Sequence, residues 1–492
     1  MSSGQGGPAR TGAASHPSLV VERLPALDDV APADAAEVFR DLPGLALLES
    51  TRAGRTGRWS ILVAGPVLGL DGSAAGPDPF ADARGALSRL DRTPLLAGAI
   101  PFAGGLVGHL AYDLGRRFEL IPSLAVDDQA MPDLRLGLHA WALAWDRRDG
   151  RAWVAGRAID GDAVGLARAI AEVRERVAAI ARRPDGPQVP AIGEAAASPF
   201  APLTFLSGTD RAGWSRGVGG IRSAIAAGEL YQANLSRRLS APFDGDPWDV
   251  YRRLRAGEPA AFAAYLDLGE LHARGAGGRQ AVISASPEPF LALGAAGSVR
   301  ADPIKGTRPR GRTRAEDRAF AAELVASAKE RAENTMIVDV LRNDLGRVCR
   351  PGSVRAPRLW RLERTPSVQH LVSTIEGRLA PGRDAFDLLA AAFPGGSVTG
   401  APKIRAMELI EALEPVRRGP YCGAALWADA AGGMGSSILI RTFVADGRRL
   451  TLHVGGGITW RSDADAEWEE TRAKARGPLR AIGGHVDGEE EP

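Results

Sequence analysis

Four of the 61 basic residues in this 492-residue chain are lysines: Lys305, Lys329, Lys403 and Lys474. Arginine stands wherever a plain positive charge serves, so a retained lysine is a candidate for work that needs a free amine. An ammonium can shed its proton and become a nucleophile or a base; a guanidinium effectively cannot. Lys305 lies in Asp302-Pro303-Ile304-Lys305-Gly306-Thr307-Arg308, a strand-to-loop turn able to present it into a cleft. A surface charge or an ion pair satisfies the same pattern.

Carboxylates supply the second kind of chemistry. Glu330 and Glu333 stand three apart in a helical segment, so both share one face. Glu467, Glu470 and Lys474 repeat the arrangement further on, with Ser462 and Asp465 as a capping-box pattern. Two helices that each carry an acidic pair suit a hard cation such as Mg²⁺, which takes oxygen ligands and keeps waters. Two solvated charged faces read the same way.

Three loops add backbone chemistry. Gly395-Gly396-Ser397-Val398-Thr399-Gly400-Ala401-Pro402-Lys403 leads into a helix, but a nucleotide phosphate loop needs Lys directly after the second Gly of its pattern, where Ala401 stands. Free N–H groups at the helix start still attract an anion. Gly455-Gly456-Gly457 after a strand marks close backbone approach. His370, in Ser367-Val368-Gln369-His370, is a candidate base or donor, or else a satisfied core histidine.

The elements that must position these groups are legible in outline. Short apolar runs broken by Gly and Pro at 61–70, 104–113 and 136–145 read as strands. Helical periodicity is expected at 162–183, 210–227, 315–345, 402–413 and 463–478, with strands near 230–239, 281–286, 290–300, 436–445 and 450–456. Strands in runs with helices between them indicate an α+β fold. The chain divides into a disordered tail (1–19), an N-terminal region (20–183), a Pro/Ala/Gly-rich linker (184–204), a catalytic region (205–482) and an acidic tail (483–492).

Composition narrows the class. A net charge of +2 leaves no basic footprint for nucleic acid. Cys349 and Cys422 cannot make a disulfide framework, which suits a reducing cytoplasm. The uncharged stretch 93–112 is interrupted by Pro94, Pro101 and Gly104-Gly105, so no membrane span is expected.

Taken in order, the motifs are long and specific. Tyr231-Gln232-Ala233-Asn234-Leu235, Ser286-Pro287-Glu288, PIKGTRPRG at 303–311, ENTMIVDVLRNDLGR at 333–347, VQHLVS at 368–373, FPGGSVTGAPK at 393–403, HVGGGIT at 453–459 and EWEET at 467–471 follow one another. This series resembles the chorismate-utilising enzymes: anthranilate synthase component I, aminodeoxychorismate synthase component I, isochorismate synthase and salicylate synthase. It spans about residues 205–480, with PFAGGLVGHLAYD at 101–113 in addition.

The resemblance implies an anthranilate synthase component I-like fold, with large antiparallel sheets packed face to face and helices outside. It implies one Mg²⁺ held directly by Glu333 and Glu470, with Glu330 and Glu467 acting through water. Tyr421, Arg441, Gly455, Gly456, Gly306 and Thr307 match substrate contacts, and Lys474 balances the acidic cluster. Glu288 matches the acid that protonates the leaving C4 hydroxyl; His370 is carried with the catalytic group. Gln232 stands where isochorismate and salicylate synthases carry the lysine that activates water, so ammonia is the expected nucleophile.

Lys305 then separates the two ammonia users. PIKGT resembles aminodeoxychorismate synthases, where anthranilate synthases resemble PIAGT. The implied reaction makes a covalent Lys305 adduct at C2, then 4-amino-4-deoxychorismate for para-aminobenzoate and folate. The alternatives are an anthranilate-forming enzyme and a chorismate-binding sensor without activity. Neither cysteine sits in a glutaminase elbow, so a separate glutamine amidotransferase is the expected partner. Glu49 and Ser50, in Leu47-Leu48-Glu49-Ser50, resemble the tryptophan pocket of anthranilate synthases.

Overall fold

Strands and helices alternate along the whole of the computed structural model, which describes residues 16–52, 57–96, 98, 100–180, 201–270, 278–365 and 368–489. Most of the expected N-terminal tail and of the linker lies outside the described residues.

The first half holds β1 (Leu19–Arg23), α1 (Pro32–Ala36), β2 (Ala46–Glu49), β3 (Trp59–Val63), β4 (Leu68–Gly72), α2 (Pro79–Ser88), β5 (Gly105–Leu110), β6 (Leu134–His139), β7 (Trp141–Asp146), β8 (Arg151–Arg157) and α3 (Ala163–Ile180). Next come β9 (Leu203–Ser207), α4 (Arg211–Ala226), β10 (Gln232–Pro242), α5 (Pro247–Gly257), β11 (Phe262–Glu270), β12 (Arg279–Ser286), β13 (Pro289–Leu293), β14 (Ser298–Ala301), β15 (Ile304–Pro309), α6 (Arg314–Ala326) and α7 (Ala328–Gly346). The chain continues through β16 (Arg355–Arg364), β17 (Val368–Arg378), α8 (Ala385–Ala392), β18 (Gly400–Ala401), α9 (Lys403–Leu413), β19 (Ala424–Asp429), β20 (Met434–Ile438), β21 (Thr442–Asp446), β22 (Arg449–Ile458), α10 (Ala464–Ile482) and β23 (Gly484–Val486).

Two sheets collect all of these strands. The larger runs β1-β8-β7-β3-β2-β11-β12-β21-β22-β10-β9-β23, with β18 on β10. The smaller runs β15-β17-β14-β13-β20-β19-β5-β6-β4, with β16 on β17. Every pairing is antiparallel except that of β23 with β9. Strands of the N-terminal region are built into both sheets: β2 pairs with β11 and β5 with β19.

Alternation of side chains builds a layered core. Ala46, Ile61 and Val63 of the larger sheet meet Val107 and Ala425 of the smaller one. Leu47 and Leu62, one residue out of phase, point to the opposite face and pack with Val173 of α3, Tyr251 of α5 and Leu479 of α10. Leu106 and Leu426 of the smaller sheet pack with Phe80 of α2, Leu341 of α7 and Phe386 of α8. Sheets therefore lie face to face with helices outside, as the α+β reading expects. Each fully buried leucine or phenylalanine contributes roughly 1.5–3 kcal/mol.

Several expected boundaries change for local reasons. The helix expected at 315–345 is two helices, because Ser327 leaves helical geometry (φ −62°, ψ 109°) and its hydroxyl caps the Glu330 amide. The expected strand 436–445 breaks at Arg441, which has φ 50°. Asp463, rather than the Ser462/Asp465 pair, caps α10 by accepting from the amides of Asp465 and Ala466. That helix runs on through Pro478 to Gly483, whose φ of 75° closes it. The tail expected from 483 is docked as far as Glu489: β23 joins the larger sheet and Glu489 meets Arg237.

Candidate active site

β15 is the edge strand that carries Lys305. It pairs with β17, and a bulge between Lys305 and Thr307 falls at Gly306, whose φ is 83°. A Cβ on Gly306 would lie 3.1 Å from Oε2 of Glu330, so glycine both makes the turn and lets α7 approach. The Lys305 ammonium donates to the Ser397 carbonyl at 3.3 Å. The same carbonyl accepts from the Asn234 amide at 3.2 Å.

Glu288 sits between β12 and β13 and is buried. Its carboxyl has Ser397 and the Ile304 backbone as hydrogen-bond partners and feels the charge of Lys305. Burial nevertheless pushes its pKa up, outweighing Lys305 and those bonds. An acid inclined to hold its proton therefore stands beside an amine, both gathered around Ser397.

The four glutamates converge from α7 and α10. Burial raises the pKa of Glu333 against the pull of Lys305 and Lys329, and Glu330 and Glu467 raise it further. Burial raises Glu467 as well, helped by Glu470 and opposed by Ser462. Glu470 differs: desolvation works against its charge, but Lys474, Lys305 and Lys329 together hold its carboxyl below the usual range. Lys474 bridges Glu470 at 2.7 Å and the Gly455 carbonyl at 2.8 Å. A Cβ on Gly456 would lie 3.3 Å from Oε2 of Glu467 and 3.4 Å from Oε1 of Glu470. Glu330 is also held by Arg308, at 3.2 Å.

These groups close a ring. Gln232 donates to Oδ1 of Asn234 at 3.2 Å, and a Cβ on Gly457 would collide with it at 2.4 Å. Thr307 and Nδ1 of His370 are 3.0 Å apart. Burial, with Arg52 and Arg441 nearby, pushes His370 down to about 4, so the ring is neutral at pH 7. Oε1 of Gln232 and Nε2 of His370 are buried without a partner among the described residues, so both are free to meet a ligand. Arg441 reaches the site from the His370 side and pairs with Glu258 at 3.7 Å.

Other expected groups stand elsewhere. Tyr421 is packed against the His453 ring at 5.0 Å, with Arg418 over its own ring at 5.8 Å. Lys403 braces α9 against α7 through Asp344 at 2.7 Å, so this lysine is structural. Glu49 accepts from Tyr251 at 2.6 Å and Arg255 at 2.9 Å. It lines a cavity of about 560 Å³ with Leu48, Phe262, Pro289 and Trp427, whereas Ser50 accepts from Arg147. Ser397, Asn234, Arg52 and Glu258 were not singled out from sequence; Ser397 and Asn234 lie inside quoted motifs, the other two in unremarkable runs.

The donor chemistry of the ring fits Mg²⁺. Like charges that raise one another's pKa across two helices are relieved by a divalent cation. Among the described residues no group of three or more acidic, thiol or imidazole side chains is arranged to hold a metal ion by itself. Mg²⁺ does not require one, since it binds through one or two carboxylates and keeps waters or substrate oxygens. Glu333 and Glu470, one from each helix, could hold it directly, with Glu330 and Glu467 behind. Lys305 acts electrostatically on Glu288, Glu333 and Glu470, so amine, buried acid and acidic cluster face one another.

Known proteins share this architecture. A model of chorismate binding enzymes matches residues 54–480. Aminodeoxychorismate synthase component 1 of Salmonella typhimurium is 38% identical over 469 residues, covering 91% of this chain and 96% of that protein. Anthranilate synthase component 1 of Mycolicibacterium smegmatis is 36% identical over 497 residues, covering 96% and 92%. The crystal structure of anthranilate synthase component I from Streptococcus pneumoniae superposes with a TM-score of 0.73 at 30% identity, covering 87% of this chain and 93% of that one. With so much of each chain aligned, this protein belongs to the family of chorismate binding enzymes.

Proposed function

We propose that the chain is the chorismate-aminating component of an aminodeoxychorismate synthase. The observation that carries this reading is the pairing of Lys305 with Glu288 around Ser397. Identity alone does not choose, since relatives of both names stand at 36–38%. Glutamates of α7 and α10 would hold Mg²⁺, which when bound would supply positive charge for the substrate's ring carboxylate. Arg441, Thr307 and the backbone at Gly455 and Gly456 orient the substrate. The neutral amine of Lys305 attacks C2, both ring double bonds shift, and the C4 hydroxyl leaves as water with a proton from Glu288. Ammonia then attacks C4 and the Lys305 amine departs from C2, giving 4-amino-4-deoxychorismate with its enolpyruvyl group retained. A glutamine amidotransferase subunit supplies the ammonia.

The cavity beside Glu49 favours a second reading, in which tryptophan binds there and the product is anthranilate. Incubation with chorismate, Mg²⁺ and ammonium, followed by mass analysis of the product, decides between them. 4-Amino-4-deoxychorismate is expected; anthranilate as main product overturns the first reading.

A further inference from the structure

Arg237 on β10 has a side chain with no exposed surface and takes no part in the chemistry above. Its guanidinium carbon lies 3.9 Å from the centre of the Trp468 ring, and its Nε donates to the Thr471 hydroxyl at 2.9 Å. Trp468 and Thr471 each directly follow one of the α10 glutamates, Glu467 and Glu470. The far edge of the guanidinium is gripped by Glu489, at 2.5 and 3.1 Å, and by Ser207 at 3.2 Å. Arg472 meets the same carboxylate at 3.4 Å. On the same strand, Leu235 stands opposite Gly456, over which the glutamates lie.

We propose that Arg237, locked by Glu489, is the positioning residue that sets where α10 presents Glu467 and Glu470 to a divalent cation. The inference rests on reading those carboxylates as a Mg²⁺ site. A planar fork fixed on three sides can hold the register of a helix against a strand, which a single ammonium cannot. Mg²⁺ demands near-octahedral geometry, so a small slide of α10 lowers its affinity before it unfolds anything. The last described residue of the chain is thus coupled to the metal site through one side chain.

The test compares wild type with Glu489→Gln, Glu489→Asp and a chain ending at Gly488, none of which disturbs a site residue. Mg²⁺ is titrated calorimetrically without substrate, and turnover is measured against Mg²⁺ concentration. Glu489→Gln and the shortened chain are expected to bind Mg²⁺ about 10-fold or more weakly, as loss of a supporting partner typically does. Their turnover should recover at saturating Mg²⁺, and Glu489→Asp should restore part of the affinity. Unchanged Mg²⁺ affinity, or an activity loss that Mg²⁺ cannot rescue, overturns the proposal. Wild type that binds no Mg²⁺ overturns it too. If chorismate is not aminated, the functional reading fails while the calorimetric comparison still decides this one.

Discussion

Replacing Lys305 by arginine keeps a cation beside the Ser397 carbonyl but removes the amine. If Lys305 attacks carbon, both Lys305→Arg and Lys305→Ala lose 4-amino-4-deoxychorismate formation. Intact-mass measurement of wild type with chorismate and no ammonia should show an adduct that Lys305→Ala lacks; full activity in Lys305→Arg contradicts the role. Glu288→Gln should cost about 10²–10⁴-fold in rate, the usual worth of a general acid. Burial raises the Glu288 pKa, so its acid form persists to higher pH than an ordinary carboxyl. Turnover should fall as pH rises through that raised value, and the fall should vanish in Glu288→Gln; a pH–rate profile of both checks it. Residue type and motif made Lys305 and Glu288 legible in the sequence. Their shared anchor, Ser397, was not: it lies 92 positions beyond Lys305 and meets the amine through its carbonyl and Glu288 through its side chain.

Elements show where sequence patterns end. Helix α4 at Arg211–Ala226 and α9 at Lys403–Leu413 fall where periodicity puts them. The break at Ser327 was readable too, since Ser followed three residues later by Glu330 is a helix-start signal. Arg441 was not: its φ of 50° comes from where the chain crosses between the sheets, not from a turn residue. Strands β14 and β15 lie end to end along one edge of β17 with β16 along the other, a pairing that only the assembled sheet decides. Two substitutions test the elements around the site. Glu333→Gln should sharply raise the Mg²⁺ needed for turnover while the circular dichroism spectrum stays native. Gly457→Ala puts a Cβ 2.4 Å from Nε2 of Gln232. Its turnover should fall with little change in melting temperature, because the side chain rather than the strand gives way.

At the scale of the molecule, buried histidines weaken the fold as pH falls. Burial pushes His109, His139 and His370 down to about 4, and His453 well below its ordinary value. Unfolded histidines titrate near 6.5, so below that pH the unfolded chain takes up protons that the fold refuses. The stabilisation is full above 6.5 and is lost as pH falls toward 4, at about 1.4 kcal/mol per histidine per pH unit. Buried carboxyls work the other way: Asp113 is pushed up to about 6, and Glu258, Glu288, Glu333, Asp344, Asp429 and Glu467 are raised as well. Calorimetry of wild type against His139→Gln isolates the histidine share: the melting temperature of the variant should fall less between pH 6.5 and 4.5. A second expectation concerns nitrogen: the purified chain should use ammonium alone, and glutamine only with an amidotransferase added. Glutamine-dependent product from the single chain contradicts it.

The order of strands in the larger sheet also governs how the chain leaves the ribosome. β1, β2, β3, β7 and β8 are neighbours translated close together, so their part of the sheet can form early. β10 can meet β9 early but cannot be completed then, because its long partner β22 is made far later: Ala233 meets Ile458. Throughout synthesis of the intervening residues, the β22-facing edge of β10 is unpaired and able to capture other chains. Long-range pairings of this kind fold slowly and expose apolar surface meanwhile. A nascent chain stalled before Arg449 should therefore engage chaperones and bind no chorismate.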